Sequence, residues 1–451
     1  MDKQELKREL SLTTLLMFGI GGLIGASIYA LSGYLIKESG LFAIAVFILT
    51  SMFSLTSALI YAEFSSIIYS AGGGYSYIKS AFSGFLAFLG SWLFYIAYIS
   101  AASFYMLTLA RYLNILYKTD ILLFSAFIII LFTIVNLNGV KATGDIEFLL
   151  VILKVTILLF FSAIILLKFG VRLNTNNLNN VNLAKIIGLT TVIFISFEGY
   201  DIIATTGGEA KNPRKDAPLA IILTIIFGTL IYMLVIVSML SLIDAHPWIL
   251  ELDEYEMVIL KEAEAILDEI GFVIMLFGII LSILSAYNAS FYAGTRILFA
   301  ASKDGFIIKK FLKISDKKVP SSSIVFTSFL ILLIAILAYA GIITNLLDVK
   351  TLVVQLGMLA SFSFALSFAL VDIALIVHRR KFKELKRGFK TPLYPITPLV
   401  GVGFAIFTLV NLIFRAPITF LMFLLLLGIG KILYILEAKN NANNKRISGT
   451  Y

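Results

Sequence analysis

Lys154 stands in the apolar run FLLVILKVTILLFF with no second charge inside that run. A lysine at the middle of a bilayer-crossing helix is disfavoured by about 2.5–3.5 kcal/mol on insertion scales. Burial also disfavours its charged form, so such a group can take up and release a proton near neutral pH. That is the chemistry of a proton carrier. The plainer readings are a structural ion pair with Glu198, or a lysine reaching the membrane surface from a shifted span. Glu198 and Asp201 interrupt a second apolar run, TTVIFISFEGYDIIATT. Glu198 has the chemistry to recognise a cation, to protonate during a cycle or to pair with Lys154. Asp201 suits the N-terminus of a following half-helix. A third stretch, FGIGGLIGASIY (Phe18–Tyr29), crowds Gly19, Gly21, Gly22 and Gly25 together, followed by Ala26 and Ser27. Each glycine costs about 0.8–1 kcal/mol against alanine in a helix interior. The run therefore predicts either close helix packing or a helix that opens and offers its backbone to a ligand. It is not a dinucleotide fingerprint, because Ile24 stands where the third glycine belongs and no strand precedes it.

Other chemistries are excluded by what is missing. The chain has no cysteine, which removes disulfides, thiolate metal sites and cysteine nucleophiles. Its two histidines, His246 and His378, argue against a histidine-held zinc or haem. No metal and no cofactor is expected. No paired-carboxylate or nucleophile constellation falls within the apolar runs, so an enzyme is disfavoured. Of 451 residues, 60% are hydrophobic and 14% charged, against about 45–50% and about 25% in a soluble domain. This is the composition of an all-α polytopic membrane protein. The net charge of +9 lies in short clusters between apolar runs, without interleaved aromatics. It points to a membrane surface rather than to nucleic acid. The charged first twelve residues and the long glycine-rich run after them are not those of a cleavable signal peptide.

A crossing helix needs about 20 mainly apolar residues. Twelve such runs are read, near 13–36, 41–69, 82–113, 121–140, 147–168, 186–207, 219–243, 271–301, 321–343, 352–377, 398–414 and 418–436. The eight prolines fall in or beside the connections, so a break within a span must come from glycine or small polar residues. With an even number of spans the termini share a side, and 24 of the 36 Lys+Arg lie on it. That bias places both termini in the cytoplasm. The acidic stretch Asp244–Glu269, with Glu251, Asp253, Glu254 and Glu256, would be external, partly helical around Val258–Leu267.

The interruptions fall in the first and sixth spans. That placement is expected of two inverted repeats, about 13–168 (helices 1–5) and 186–377 (helices 6–10), each opening with a discontinuous helix. Helices 11 and 12, about 398–436, follow, all in a single membrane domain. A half-helix beginning after Gly25 offers N–H groups to an anion. Carbonyls ending the other half-helices accept hydrogen bonds from an ammonium. A zwitterionic amino acid satisfies both poles.

These segments resemble the amino acid–polyamine–organocation transporter superfamily, with its leucine-transporter-type fold. GGLIGASIY resembles the family's first-helix motif. EFSSIIYSAGGGYSYIKSAF (Glu63–Phe82) resembles the end of helix 2 and its loop, and NLNGVK (Asn136–Lys141) the helix 4–5 connection. FISFEGYDIIATTGGEAKNPRKDAPLAI (Phe194–Ile221), the most specific, resembles helix 6 and its exit, and AGTRILFAASKDG (Ala293–Gly305) the end of helix 8. The likeness covers about residues 10–395. Helices 11 and 12 match in number and hydropathy only.

The resemblance implies secondary active transport of amino acids across the plasma membrane by alternating access, with protons as the coupling ion. The backbone around Gly25, Ala26 and Ser27 would hold the carboxylate, and the carbonyls of Leu23, Ile195 and Glu198 the amino group. Lys154 matches the helix 5 lysine that replaces sodium in proton-coupled relatives, with Ser282 and Ser285 beside it. The sequence departs from the family at Ser27, where the motif ends in glycine. It departs again at Ile195, where many relatives carry a gating aromatic, a part left to Phe194, Phe197, Tyr95 or Tyr98. Glu63 and Arg296 read as gate or loop-anchoring residues, and Trp92 and Trp248 as packing or interfacial aromatics. The alternatives are a sodium-coupled symporter, an exchanger and, from another class, a non-transporting amino-acid sensor. Short tails of about a dozen residues argue against the sensor. The amino acid carried and the oligomeric state are not written in the sequence.

Overall fold

The computed structural model describes residues 6–173, 183–251, 258–344 and 349–448. Among these, the regular structure is helical apart from one isolated parallel bridge between Leu10 and Ala210. The helices are α1 (Leu12–Leu23), α2 (Ser27–Ser39), α3 (Ala43–Ser65), α4 (Gly73–Ala81), α5 (Gly84–Tyr117), α6 (Ile121–Leu137), α7 (Val140–Phe169) and α8 (Leu183–Ile193). They continue with α9 (Tyr200–Thr205), α10 (Pro213–Ala245), α11 (Val258–Lys303), α12 (Ser321–Ile343), α13 (Val349–Lys381), α14 (Ile396–Arg415) and α15 (Pro417–Ser448). Helices α1 and α2 are the two halves of the first span, α8 and α9 those of the sixth, and α4 is a short connecting helix. The other ten each make a span. The chain is a multi-pass membrane protein, and its lipid-facing surface shows it. Leu123, Phe414 and Leu421 are 73%, 82% and 65% exposed, which costs nothing against hydrocarbon chains.

Local chemistry sets the helix ends. The Ser11 hydroxyl accepts the Thr14 N–H at 3.3 Å and starts α1. The Asp120 carboxylate does the same for α6, from Leu123 N–H at 2.8 Å. Helix α10 opens on Pro213, at a position that needs no N–H. Pro218 also lies inside α10, where the sequence had placed it in a connection. It removes only the bond to the Arg214 carbonyl, at the helix end, so α10 continues. Helix α11 is bent at Leu267 and Asp268, whose φ is 53°. The helical segment before that bend is the one expected around Val258–Leu267, while Asp253, Glu254 and Glu256 lie outside the described residues.

The first span runs through the centre, where α1 packs on α7, α9, α10 and α11. Helix α5 carries α11 and α13 on its flanks, and α3 lies along α10. Alternate connections meet on the same side. On the side of the termini, Tyr75 donates to Asp304 at 2.6 Å, Lys317 to Asn138 at 2.5 Å and Lys381 to the Ala81 carbonyl at 2.6 Å. On the other side, Lys185 pairs with Glu38 at 3.0 Å and the Tyr339 hydroxyl with Asp120 at 3.0 Å.

Candidate substrate and coupling site

The glycine run does open. Helix α1 stops at Leu23, Ile24 leaves helical geometry (φ −85°, ψ 78°), and α2 restarts at Ser27 with no side-chain cap on its N-terminus. The N–H groups at the start of α2 and the carbonyls at the end of α1 are therefore left without helical partners. Gly25 sits tightly against the aromatic ring of Tyr105 and the methyl of Ala286, since a Cβ there would lie 3.0 Å from the ring and 3.1 Å from Ala286.

The sixth span opens as well. Helix α8 tightens into a 3₁₀ turn over Phe194–Phe197, Glu198 is extended, and Gly199 takes φ +133° before α9 begins. That φ favours glycine, and a Cβ on Gly199 would also strike the Leu23 amide. The two breaks are therefore in backbone contact. One side chain holds both: the Tyr232 hydroxyl on α10 lies 2.6 Å from the Leu23 carbonyl and 2.7 Å from that of Ser196. It has one proton for two acceptors. Asp201 caps its own half-helix, accepting the Gly199 N–H at 2.9 Å and the Tyr98 hydroxyl at 2.5 Å.

Lys154 is fully buried and donates to the Gly21 carbonyl at 3.0 Å, the Ile24 carbonyl at 2.7 Å and Ser285 Oγ at 3.0 Å. An ammonium has three N–H bonds, and three acceptors surround it. Ser282 donates to the same Ile24 carbonyl at 2.8 Å. Ser285 passes its own hydrogen to Glu147 Oε1 at 2.5 Å, and Asn288 donates to Glu147 Oε2 at 2.6 Å. Asn136 completes the chain by donating to Asn288 at 3.2 Å. The alternative pairing of Lys154 with Glu198 is not there. The open carbonyls of the first span meet the ammonium instead, and the acid linked to it, through Ser285, is Glu147.

Glu147 escaped the sequence reading because the fifth span was begun at residue 147, leaving this acid at its edge. The helix begins at Val140, two turns earlier. Seven residues separate Glu147 from Lys154, two turns on one face, and that spacing was the available signal. Tyr232 and Tyr105 were missed for a different cause: a tyrosine in an apolar span has no pattern that says which way it faces.

The remaining candidates disperse. Leu23, Gly25, Ala26, Ser27 and Glu198 lie at the two breaks, and Ile195 in the 3₁₀ turn beside them. Tyr98 reaches the sixth-span break through Asp201. The Tyr95 hydroxyl faces Thr327 on α12 at 3.3 Å. Phe194 packs against Phe368 and Phe404, and Phe197 against Phe47 and Tyr232. Trp92 donates to the Leu426 carbonyl at 2.9 Å, joining α5 to α15.

Toward the termini, two buried acids, Glu209 and Glu63, hold ion pairs across the helix ends. Arg296 on α11 meets Glu209 at 3.1 Å and stacks 3.7 Å over the Tyr292 ring, whose hydroxyl also donates to Glu209. The Glu209 carbonyl accepts the Glu9 and Leu10 N–H groups at 2.9 and 3.0 Å, and Lys211 N–H returns a bond to the Leu10 carbonyl at 2.9 Å. Glu63 at the end of α3 takes Arg379 at 2.5 Å, Arg387 at 2.8 Å and the Thr391 N–H at 2.7 Å. On this side an open depression of about 520 Å³ is lined by Arg8, Tyr69, Lys79, Lys303 and Asp304 among others.

Two apposed helix breaks inside a membrane bundle, with a buried lysine on the carbonyls of the first, are the architecture of a solute carrier. The sequence model of the amino acid permease family matches residues 10–432, and the chain belongs to that family. Over 98% of its length it is 26% identical to the branched-chain amino acid permease BcaP of Bacillus subtilis, covering 95% of that protein. The methylthioribose transporter of the same organism is 27% identical over 97% of this chain and 95% of its own. The serine/threonine exchanger SteT, also from Bacillus subtilis, is 25% identical over 90% and 91%. These relatives are permeases and transporters, not enzymes.

Proposed function

We propose that this permease carries amino acids across the plasma membrane by alternating access, with cytoplasmic termini and with Lys154 as the proton-coupling group. One observation carries the reading: the Lys154 ammonium on α7 is bonded to the carbonyls at the opened first span. Protonated, Lys154 holds Gly21, Ile24 and Ser285 at once. A neutral amine has two N–H bonds and a lone pair. Ser285 already spends its hydrogen on Glu147, so the lone pair faces an acceptor and one contact is lost. The first span then has two orientations separated by one proton, which is the differential contact a two-state carrier needs. A substrate carboxylate at the start of α2 and an amino group at the carbonyls of Leu23, Ile195 and Glu198 complete the site. Proton symport is favoured over sodium coupling because the ammonium occupies oxygens that a sodium ion would require.

The test is uptake into proteoliposomes of a labelled amino-acid panel, with proton and sodium gradients imposed separately. Uptake should follow the proton gradient. Lys154→Met, neutral and similar in length, should abolish accumulation against a gradient while leaving substrate exchange. Accumulation by that variant under a proton gradient alone would remove Lys154 from the coupling step.

A further inference from the structure

Glu198 is the one carboxylate at the breaks that the protein leaves without an answer. It is 6% exposed, and its Oε1 has no hydrogen-bond partner. Its acidic neighbour is spent, because Asp201 is bonded to the Gly199 N–H and the Tyr98 hydroxyl. Lys154 is spent as well, on the first span and Ser285. Among the described residues no lysine, arginine or histidine pairs with Glu198. The surroundings therefore hold two acids and no cation. An ionised carboxylate buried that way is expensive unless a charge of opposite sign arrives.

Tyr98 and Tyr105 stand two turns apart on one face of α5; the Tyr98 hydroxyl reaches Asp201, in the same break as Glu198, and the Tyr105 ring lies against Gly25 at the opening of the first span. Gly199, next to Glu198 in the chain, is in backbone contact with Gly22 and Leu23. Glu198 thus lies at the junction of the two breaks, beside the backbone groups assigned above to the substrate's own carboxylate and amino group. We infer that Glu198 is a side-chain subsite for cationic amino acids, pairing with a terminal ammonium or guanidinium of the substrate. The inference rests on the amino-acid transport reading and narrows its substrate class. The substrate's α-carboxylate and α-amino group would lie at the helix breaks, while its distal cation neutralises Glu198, with Tyr98 and Tyr105 as aromatic neighbours. Without such a substrate the acid is left unpaired in a low-dielectric interior. Loading the site and satisfying the charge are then one event.

The experiment compares isosteres that differ in the distal charge alone, lysine against norleucine and arginine against citrulline, by calorimetric titration of the purified full chain. The wild type should bind the cationic member of each pair at least tenfold more tightly, about 1.4 kcal/mol. Glu198→Gln should erase that ratio, weakening the cationic ligand at least tenfold more than its neutral isostere. Equal affinity for lysine and norleucine in the wild type overturns the subsite and leaves the transport reading intact. So does a Glu198→Gln variant that loses both by the same factor, because the carboxylate would then serve the α-amino group. Binding of neither charged nor neutral amino acids to the wild type overturns the transport reading beneath it. If the glutamine variant does not fold, the wild-type ratio and Glu198→Asp decide the matter. The shortened acid should keep the preference for charge while changing the order of lysine and arginine.

Discussion

Lys154, Ser285 and Glu147 form a relay in which one hydroxyl accepts from an ammonium and donates to a carboxylate. The acid stands two turns nearer the termini than the lysine, so the field that steadies the ammonium is built into the same helix. Replacing Glu147 by Gln keeps the shape and an acceptor for Ser285 but removes the charge. The ammonium is then less favoured, and the pH at which uptake falls off should move to more acid values, with the maximal rate reduced by less than tenfold. A pH profile of uptake in proteoliposomes reads this directly. An unshifted profile would mean that Glu147 acts only as a hydrogen-bond acceptor. At this scale legibility depended on burial. Lys154 stood out in the sequence because it lay deep in an apolar run. Glu147 did not, because the span boundary was drawn through it, and an orphan such as Glu198 Oε1 becomes visible only with its neighbours in place.

Both broken spans were readable as elements, since glycine density in one and acids in the other are costly inside a helix. What the sequence does not carry is how the breaks touch. That contact depends on Gly199, whose φ of +133° and approach to the Leu23 amide leave no place for a Cβ. Gly→Ala gains about 0.4–1 kcal/mol where alanine fits the backbone, but at a positive φ it destabilises by more than that, so Gly199→Ala should cost more than about 1 kcal/mol and push the breaks apart. The expected result is loss of substrate binding by titration, with a helical circular-dichroism spectrum like that of the wild type. Binding within threefold of wild type would show that backbone contact between the breaks is dispensable. The rotations of α5 and α10, which bring Tyr105 and Tyr232 to the site, follow from packing against several partners. A uniformly apolar helix does not encode which face meets which neighbour.

Across the whole molecule, buried ion pairs are concentrated on the side of the termini, where Arg296 and Glu209 lie wholly out of solvent contact. Breaking such a pair from one side leaves an uncompensated buried charge, at a cost of about 3–5 kcal/mol, whereas replacing both partners with apolar residues is far less damaging. Arg296→Met should lower the melting temperature in detergent markedly, and Arg296→Met with Glu209→Leu should recover more than half of the loss. If the double variant melts no higher than the single one, the pair is not what holds these helix ends together. The twelve-span architecture, with both termini on one side, was legible from hydropathy. The Leu10–Ala210 bridge was not, because backbone pairing between an extended entry segment and a distant loop leaves no trace in side-chain pattern.

That bridge offers a practical handle. The entry segment is bonded to the exit of the sixth span through the carbonyls of Glu209 and Leu10, so it spans the two elements whose relative motion would constitute a transport cycle. The chain has no native cysteine. A pair of cysteines introduced on either side of the bridge would be the sole thiols in the protein. Spin labels or fluorophores attached there would report opening and closing on the side of the termini with no background to subtract, and without altering a residue at the helix breaks.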